Sequence, residues 1–414
     1  LLRAGQVLPR LESRQAMSMP VIATFNTGSS NLKFSLYRAA TDQLAGRLLG
    51  GKLTGLGAHI KVDMDTTSQS HQQQFAAALS NVDPAPEQLI PELARCLRAA
   101  MDGAELVAAG HRIVHGGQSC DGPRLATPEL LKTLDSLSVF APDHQPHNLA
   151  GVRSLAKQFP SLPQSLSFDT AFHRTQPREA RIYALPRDLT ESGLQRYGFH
   201  GLSYAYIAET LAETFADCPH RKTIVAHLGN GASLCAMRDG KSVAASMGLT
   251  ALSGIPMATR CGDLDPGAVL YLIGSQKMTP DAVSDMLYHK SGLLGVSGIS
   301  GDIRDLLASP APEAEEALDV YTYRIAREIG SLTAALNGLD AIVFTGGVGE
   351  NSREIRRRVC ARLSWMGIEL DAALNESGAG VVSAQHSAIA VAVIPTNEEE
   401  VIAREAFSLC RNAA

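Results

Sequence analysis

Two stretches decide the fold: VIATFNTGSSNLKFSLY at residues 21–37 and TIVAHLGNGASLCAMRDGK at residues 223–241. In the first, β-branched and aromatic residues on both arms flank Asn26-Thr-Gly-Ser-Ser30, which reads as strand, tight polar turn, strand. The second repeats the design with an apolar arm, the turn Gly229-Asn-Gly-Ala-Ser233, and another apolar arm closed by Asp239-Gly240. A hairpin with a donor-rich turn therefore occurs once in each half of the chain. The repetition predicts two related lobes.

The rest of the sequence accommodates that reading. A length of 414 residues implies two or three domains with a sizeable core, and 45% hydrophobic with 19% charged residues is ordinary globular composition. The net charge of −5 argues against a broad nucleic-acid footprint, and no apolar run is long enough to span a membrane. Seven cysteines are scattered, odd in number and never spaced as C-x-x-C. Neither a disulfide framework nor a thiolate zinc site follows from them, and a reducing, cytoplasmic compartment fits. Residues 1–18, LLRAGQVLPRLESRQAMS, precede the first strand and read as a disordered extension or an Arg-bearing transit segment. They lack the apolar core of a secretory signal.

Between the two hairpins, helical patterns at 86–101, 128–138 and 148–158 alternate with short strands at 106–109 and 165–168, as in α/β units. In the second half Leu318, Tyr321, Ile325, Ile329, Leu332 and Leu336 mark one face of a long helix, and Asn337-Gly338 is its left-handed stop. The strand Ala341–Thr345 leads into Gly346-Gly-Val-Gly-Glu-Asn-Ser352. Asn351 with Glu354 reads as a capping box, placing this glycine loop at a helix N-terminus. A last helix reads as capped at Thr396, with Glu399 three residues on.

Glycine turns after strands present backbone N–H groups to phosphate oxygens, and this chain has three, at 26–30, 229–233 and 346–352. Any one of them also serves as a plain connector; three suggest a nucleotide held between two lobes. Arg112 in HRIVHGG (111–117) and Arg260 in MATRCGDLD (257–265) are candidate anion clamps, against the alternative of surface arginines. FDTAFH (168–173) and YGFHG (197–201) place acids and histidines beside small residues. The pairs His111/His115, His144/His147 and His173/His200 lack a ligand spacing such as H-E-x-x-H, which disfavours a zinc hydrolase. Residue types alone stop at a two-lobed phosphate-handling protein.

NTGSSNLK (26–33), HRIVHGG (111–117), FDTAFH (168–173), YGFHG (197–201), HLGNGAS (227–233), TRCGDLDP (259–266), TGGVGEN (345–351) and PTNEE (395–399) together resemble, in order, the motif series of the acetate kinase family. The resemblance covers residues 21–414. It implies an α/β fold of two ribonuclease-H-like lobes, that of the acetate and sugar kinase, Hsp70 and actin superfamily, with a nucleotide cleft between them. Expected are an N-terminal lobe from 19–171 plus 396–414, a C-terminal nucleotide-binding lobe from 172–395, and a homodimer. The implied reaction is reversible, Mg²⁺-dependent transfer from ATP to acetate, giving ADP and acetyl phosphate, with Mn²⁺ as an alternative ion.

By the same resemblance Arg112, Asp169, His200 and Arg260 are catalytic, and Arg112, Val114, His144 and Phe199 bind the acyl substrate. Lys33, His227, Gly229, Asn230, Gly231, Asp302, Ile303, Arg304, Gly346, Gly347, Val348, Gly349 and Asn351 border the nucleotide. Asn26 and Glu398, with Asp169, hold magnesium or its waters. An acetate acceptor is already ionised at neutral pH, so such an enzyme needs charge neutralisation rather than a general base. Three departures from the family pattern bear on the acyl group and its surroundings: Asp143 where Leu is usual, Ala251 where Pro is usual, and Gly201-Leu-Ser-Tyr204 for Gly-Thr-Ser-His. Propionate or butyrate kinase is the alternative within the family. A non-catalytic nucleotide-binding relative is the alternative outside it, disfavoured because a binding module has no need of the acyl-side arginines.

Overall fold

The computed structural model describes residues 19–411 except 29–30, 41, 56–59, 66–68, 80–81, 84, 101–103, 216–220 and 379, so the 1–18 extension and part of the first turn lie outside the described residues. The first sheet comprises β1 (Met19–Thr27), β2 (Asn31–Ala39), β3 (Leu44–Thr54), β4 (Lys61–Met64), β5 (Ala104–Ile113), β6 (Arg124–Leu125) and β7 (Gln164–Phe168), in the order β4-β3-β2-β1-β5-β7-β6. The second comprises β8 (Lys222–Leu228), β9 (Ala232–Arg238), β10 (Lys241–Ala245), β11 (Ala341–Thr345), β12 (Gly380–Val381) and β13 (Ala390–Val393), in the order β10-β9-β8-β11-β13-β12.

The two sheets share one plan. An antiparallel meander, β1-β2-β3 or β8-β9-β10, is extended on its first strand by two parallel strands, β5 and β7 or β11 and β13. This duplicated ribonuclease-H-like arrangement is what the repeated hairpins predict. The turn from β9 to β10 carries Asp239 and Gly240 at φ 52° and 73°, the left-handed pair a two-residue hairpin demands.

Apolar periodicity decides where the helices pack. The helix Pro312–Leu336 lays Leu318, Tyr321, Ile325, Ile329, Leu332 and Leu336 against Ile224, Leu234 and Phe344 of the second sheet, and ends with Asn337 at φ 55°. The helix Pro86–Ala100 buries Leu89, Leu93 and Leu97 on the first sheet with Phe25, Phe34 and Leu36. The final helix, Glu398–Arg411, packs on the opposite face of that same sheet, where Ala406 and Cys410 meet Ile22 and Ala108. Chain ends distant in sequence thus share one lobe, and Glu398 is brought beside β1.

Two expected caps are displaced by one residue. The glycine segment is itself a short helix, Gly346–Asn351, and Ser352 rather than Asn351 caps the next one, Arg353–Arg362, its Oγ accepting from Ile355 N at 3.4 Å. Asn351 instead donates to Gly347 O. At the last helix Asn397, not Thr396, accepts from Glu400 N at 3.2 Å and donates back to its carboxylate, while the Thr396 hydroxyl is buried without a partner. Both neighbours are good capping residues, so composition alone cannot choose between them.

Candidate active site

The C-terminal ends of the parallel strands and the hairpin turns open onto a cleft of about 810 Å³ between the lobes. At one wall stands a polar cluster centred on Arg112. Its Nε donates to Asp169 Oδ1 at 3.1 Å, its Nη2 to Asp169 Oδ2 at 2.7 Å, and its Nη1 to Asn26 Oδ1 at 3.3 Å. Asn26 Nδ2 in turn donates to Glu398 Oε2 at 2.7 Å and Glu399 Oε1 at 2.9 Å. β1 supplies Asn26, β5 Arg112, the residue after β7 Asp169, and the last helix both Glu398 and Glu399. Burial opposes the charge on Arg112, but Asp169 and Glu398 outweigh it and raise its pKa. Burial pushes Glu398 up, and Arg112, His227 and Lys33 reverse this, so its carboxyl is held below its usual range. For Lys33 the nearby Glu399 and Glu398 likewise overcome burial and favour the ammonium.

Opposite lies a histidine pair. His200 and His227 stack with ring centroids 4.3 Å apart. Nδ1 of His200 bonds Ser233 Oγ at 2.8 Å, and Nδ1 of His227 bonds Ser203 Oγ at 2.8 Å. Burial lowers His227 to about 4, and burial, the neighbouring His227 and the two arginines carry His200 well below the ordinary histidine value. Both rings are therefore held neutral at pH 7, and each has one ring N–H rather than a charge to offer. His200 itself adopts φ 58°, a left-handed conformation that costs a non-glycine residue on the order of 1 kcal/mol or more. It is fixed there because the helix Gly201–Thr214 begins at the next residue, and a Cβ on Gly201 would fall 2.0 Å from Asp169 O.

Arg260 lines the cleft beside Ala251. Its Nη1 donates to Ala251 O at 3.2 Å, and burial lowers its pKa. A Cβ at Gly231 would lie 3.3 Å from His200 Nε2 and 3.5 Å from Arg260 Nη1, so both nitrogens face the same few ångströms of cleft. Val114, Phe199, Ala251 and His144 line the adjoining wall. His144, held uncharged down to about pH 3 by burial and by Arg260 and Arg112, precedes the helix Gln145–Gln158 without capping it. Asp143 does not line this wall; its carboxylate lies 3.7 Å from His289.

The far end of the cleft is glycine-rich. Gly229, Asn230, Gly231, Gly346, Gly347, Val348 and Asn351 border it, with Asp302, Ile303 and Arg304 at the rim. Gly346 has φ 76°, and a Cβ there would meet Leu228 O at 2.8 Å, so only glycine lets the two turns approach. Glu350 Oε1 accepts from Gly346 N at 2.9 Å and Thr396 N at 3.2 Å, tying the turn to the last helix. Gly349 lies behind the wall, its carbonyl accepting from the buried Arg356 Nη1 at 3.0 Å. Asp302 caps the helix Ile303–Ala308 and pairs with the exposed Arg304.

Lys52 on β3, the cross-strand neighbour of Lys33, and Leu307 line the cleft outside every motif quoted above, and Glu350, inside the 345–351 motif, has there no role of its own. Conversely, His111 faces away from the cleft, stacked on Phe25. His173 braces the site from behind by bonding Phe199 O at 2.9 Å.

A cleft between two α/β lobes, lined by glycine turns with buried arginines and neutral histidines adjoining them, is that of a phosphotransferase with the two-lobed fold of the sugar kinase and actin superfamily. The sequence profile of the acetokinase family matches residues 21–404. An acetate kinase of Rhodopseudomonas palustris is 48% identical over 395 residues, 94% of this chain and 98% of the relative. That of Rhizobium meliloti is 44% identical, covering 94% and 98%. Among solved structures, a propionate kinase from Francisella tularensis superposes with a TM-score of 0.78 at 33% identity, covering 94% of this chain and 99% of that one. The Porphyromonas gingivalis acetate kinase gives 0.76 at 33%, with the same coverage. The chain belongs to the acetokinase family.

Proposed function

We propose that this protein is an acetate kinase, transferring the γ-phosphoryl group of ATP reversibly to acetate to give acetyl phosphate and ADP. The observation that carries the reading is the convergence of Arg260 Nη1 and His200 Nε2 beside Gly231, with the Arg112–Asp169 pair across the same cleft. Two anions, a carboxylate and a triphosphate, must meet, and a loose in-line transfer spreads charge over three equatorial oxygens. Arg112 and Arg260 offset that charge; His200 and His227 donate N–H bonds to it. Val114 and Phe199 shape an apolar wall for the acyl group, and the glycine turns cradle the nucleotide phosphates, with Asp302–Arg304 at the adenosine.

Mg²⁺ fits the donor set. Glu398 is held ionised and meets the Asn26 amide nitrogen, while the Asn26 amide oxygen and the Asp169 carboxylate both meet Arg112; these oxygens are of the hard type that suits an ion that keeps most of its waters and takes phosphate oxygens. Mn²⁺ suits it too. When bound, the ion supplies further neutralisation of the phosphates. The lobes divided as 19–171 plus 396–414 and 172–395 are read as the two bodies that close on the substrates.

A second reading, propionate as acceptor, is favoured by Ala251, which leaves more room than proline on the acyl wall. A homodimer is inferred from the helix Pro266–Gly274, which has no buried residue and leaves Leu270 71% and Tyr271 55% exposed. No helix among the described residues is long and apolar enough to cross a membrane. Cysteines without disulfide partners among those residues support a cytoplasmic setting.

The deciding experiment incubates the protein with Mg-ATP and acids of one to four carbons and traps acyl phosphate as hydroxamate. Acetyl hydroxamate is expected; none from any of these acids removes the reading.

A further inference from the structure

The first turn of the helix Gly201–Thr214 carries a tyrosine whose hydroxyl is spent on the site rather than on the core around it. Tyr204 is fully buried, with Phe172 and His173 beside its ring. Its Oη lies 2.5 Å from Ser233 Oγ, and Ser233 Oγ lies 2.8 Å from His200 Nδ1. Among the described residues no other polar group bonds the Tyr204 hydroxyl.

Counting protons orients the chain. A phenol and a serine hydroxyl each have one proton to give. Were His200 to donate from Nδ1 to Ser233, one of the two hydroxyl protons, that of Ser233 or that of Tyr204, would be buried with no acceptor among the described residues, a strongly disfavoured state. The arrangement that pairs both hydroxyl protons runs Tyr204 O–H to Ser233 Oγ, then Ser233 O–H to His200 Nδ1. The proton of the imidazole then lies on Nε2, the nitrogen facing Gly231 and Arg260. Ser203, the preceding residue, stands in the same relation to Nδ1 of His227.

We propose that Tyr204 is a positioning residue which, through Ser233, fixes His200 as the Nε2–H tautomer, so that the ring always presents a donor to the group being transferred. This rests on the reading of His200 as a phosphoryl-side donor.

The test is nitrogen NMR on protein labelled with ¹⁵N-histidine, the His200 signals being those lost in His200→Gln. The wild type is expected to show an unprotonated Nδ1 and a protonated Nε2. Tyr204→Phe is expected to show a mixture of tautomers, with kcat lowered about two- to tenfold, the equivalent of one hydrogen bond, and KM for Mg-ATP unchanged. Ser233→Ala should do the same, Ser233→Thr should restore the single tautomer, and the Tyr204→Phe/Ser233→Ala double variant should be no worse than Ser233→Ala alone. A Tyr204→Phe spectrum identical to wild type, or a mixed spectrum with wild-type turnover, overturns the assignment. Wild-type turnover in His200→Gln would instead sink the underlying role of His200, while the tautomer in Tyr204→Phe still judges the relay.

Discussion

His200 and His227 stack face to face, 4.3 Å between ring centroids and 21° between planes, although they come from different elements. Two imidazolium ions at that distance repel, and both are buried, so the pair is stable only uncharged. A histidine kept neutral in the fold and free to charge when unfolded makes stability depend on pH. His111, His115, His173 and His227 are lowered to about 4 by burial, and His144 to about 3. Between their unfolded value near 6.5 and these folded values the unfolded chain binds more protons. Stability is therefore full above pH 6.5 and lost as pH falls through that window, by up to about 1.4 kcal/mol per pH unit for each such histidine. Thermal unfolding followed by circular dichroism from pH 8 to 4.5 should show a flat Tm above 7 and a steep decline below 6.5. A flat Tm down to pH 5 would contradict the buried neutral rings.

Arg260 has carbonyl and thioether neighbours and, among the described residues, no carboxylate within hydrogen-bond reach, which leaves its charge for a ligand. Arg260→Ala is expected to lower kcat by about 10²–10³, the loss associated with one pre-organised donor, roughly 2.7–4 kcal/mol. ADP affinity by calorimetry should change little, because the glycine turns are untouched. A parallel loss of nucleotide binding would place Arg260 on the wrong substrate.

Arg112 differs, since two of its nitrogens are committed to Asp169 in forked geometry. Lysine keeps a charge but not the fork. Arg112→Lys is accordingly expected to behave like Arg112→Ala in kcat, at least tenfold below wild type as an order-of-magnitude loss for a charge-assisted pair. Near-wild-type turnover in Arg112→Lys would reduce its role to that of a point charge.

The parts of this site that were legible in sequence are those with local signals. Asn26–Gly28 and Gly229–Gly231 stand at the ends of apolar, β-branched strand runs, and the helix stop at Asn337 has its own chemistry. β3 was not legible: Gly46, Gly50 and Gly51 break the strand pattern of GRLLGGKLT, and Lys52 was hidden with them. Nor does any local pattern join Asn26 to Glu398, 372 residues away, or Tyr204 to Ser233. The motif series placed those residues in one site, but their bonds to one another are products of the two sheets' packing. The displaced caps at Ser352 and Asn397 have the opposite cause: adjacent residues with equal local preference, separated only by tertiary geometry.

Acyl selectivity should be modest. An apolar pocket distinguishes one methylene by about 1–3 kcal/mol, which sets the kcat/KM ratio of acetate to propionate at roughly 10–200 in favour of the better substrate. Val114 is buried on the acyl wall with Phe199. Val114→Ala, which removes two methyl groups, is expected to shift that ratio toward propionate by about tenfold within the same limit. Initial rates with both acids decide it, and an unchanged ratio would mean the acyl chain points elsewhere.

The last prediction concerns the support of the nucleotide end. Arg356 is 1% exposed, yet among the described residues it meets no carboxylate. Its donors go to Gly349 O, Glu350 O, Asn375 Oδ1 and Asn375 O at 2.7–3.0 Å. One guanidinium thus pins the end of the glycine helix to the helix Ala372–Ser377. Arg356→Ala would leave these acceptors dry and open a cavity. At about 1–3 kcal/mol for each unsatisfied acceptor, a loss of at least ~3 kcal/mol is expected. Urea unfolding should register it as a lower midpoint, and KM for ATP should rise as Gly346–Asn351 loosens, while KM for acetate stays within about twofold because Arg260 and Val114 belong to the other end of the cleft. A lower midpoint with both KM values unchanged would assign Arg356 to stability alone and detach it from the nucleotide turn.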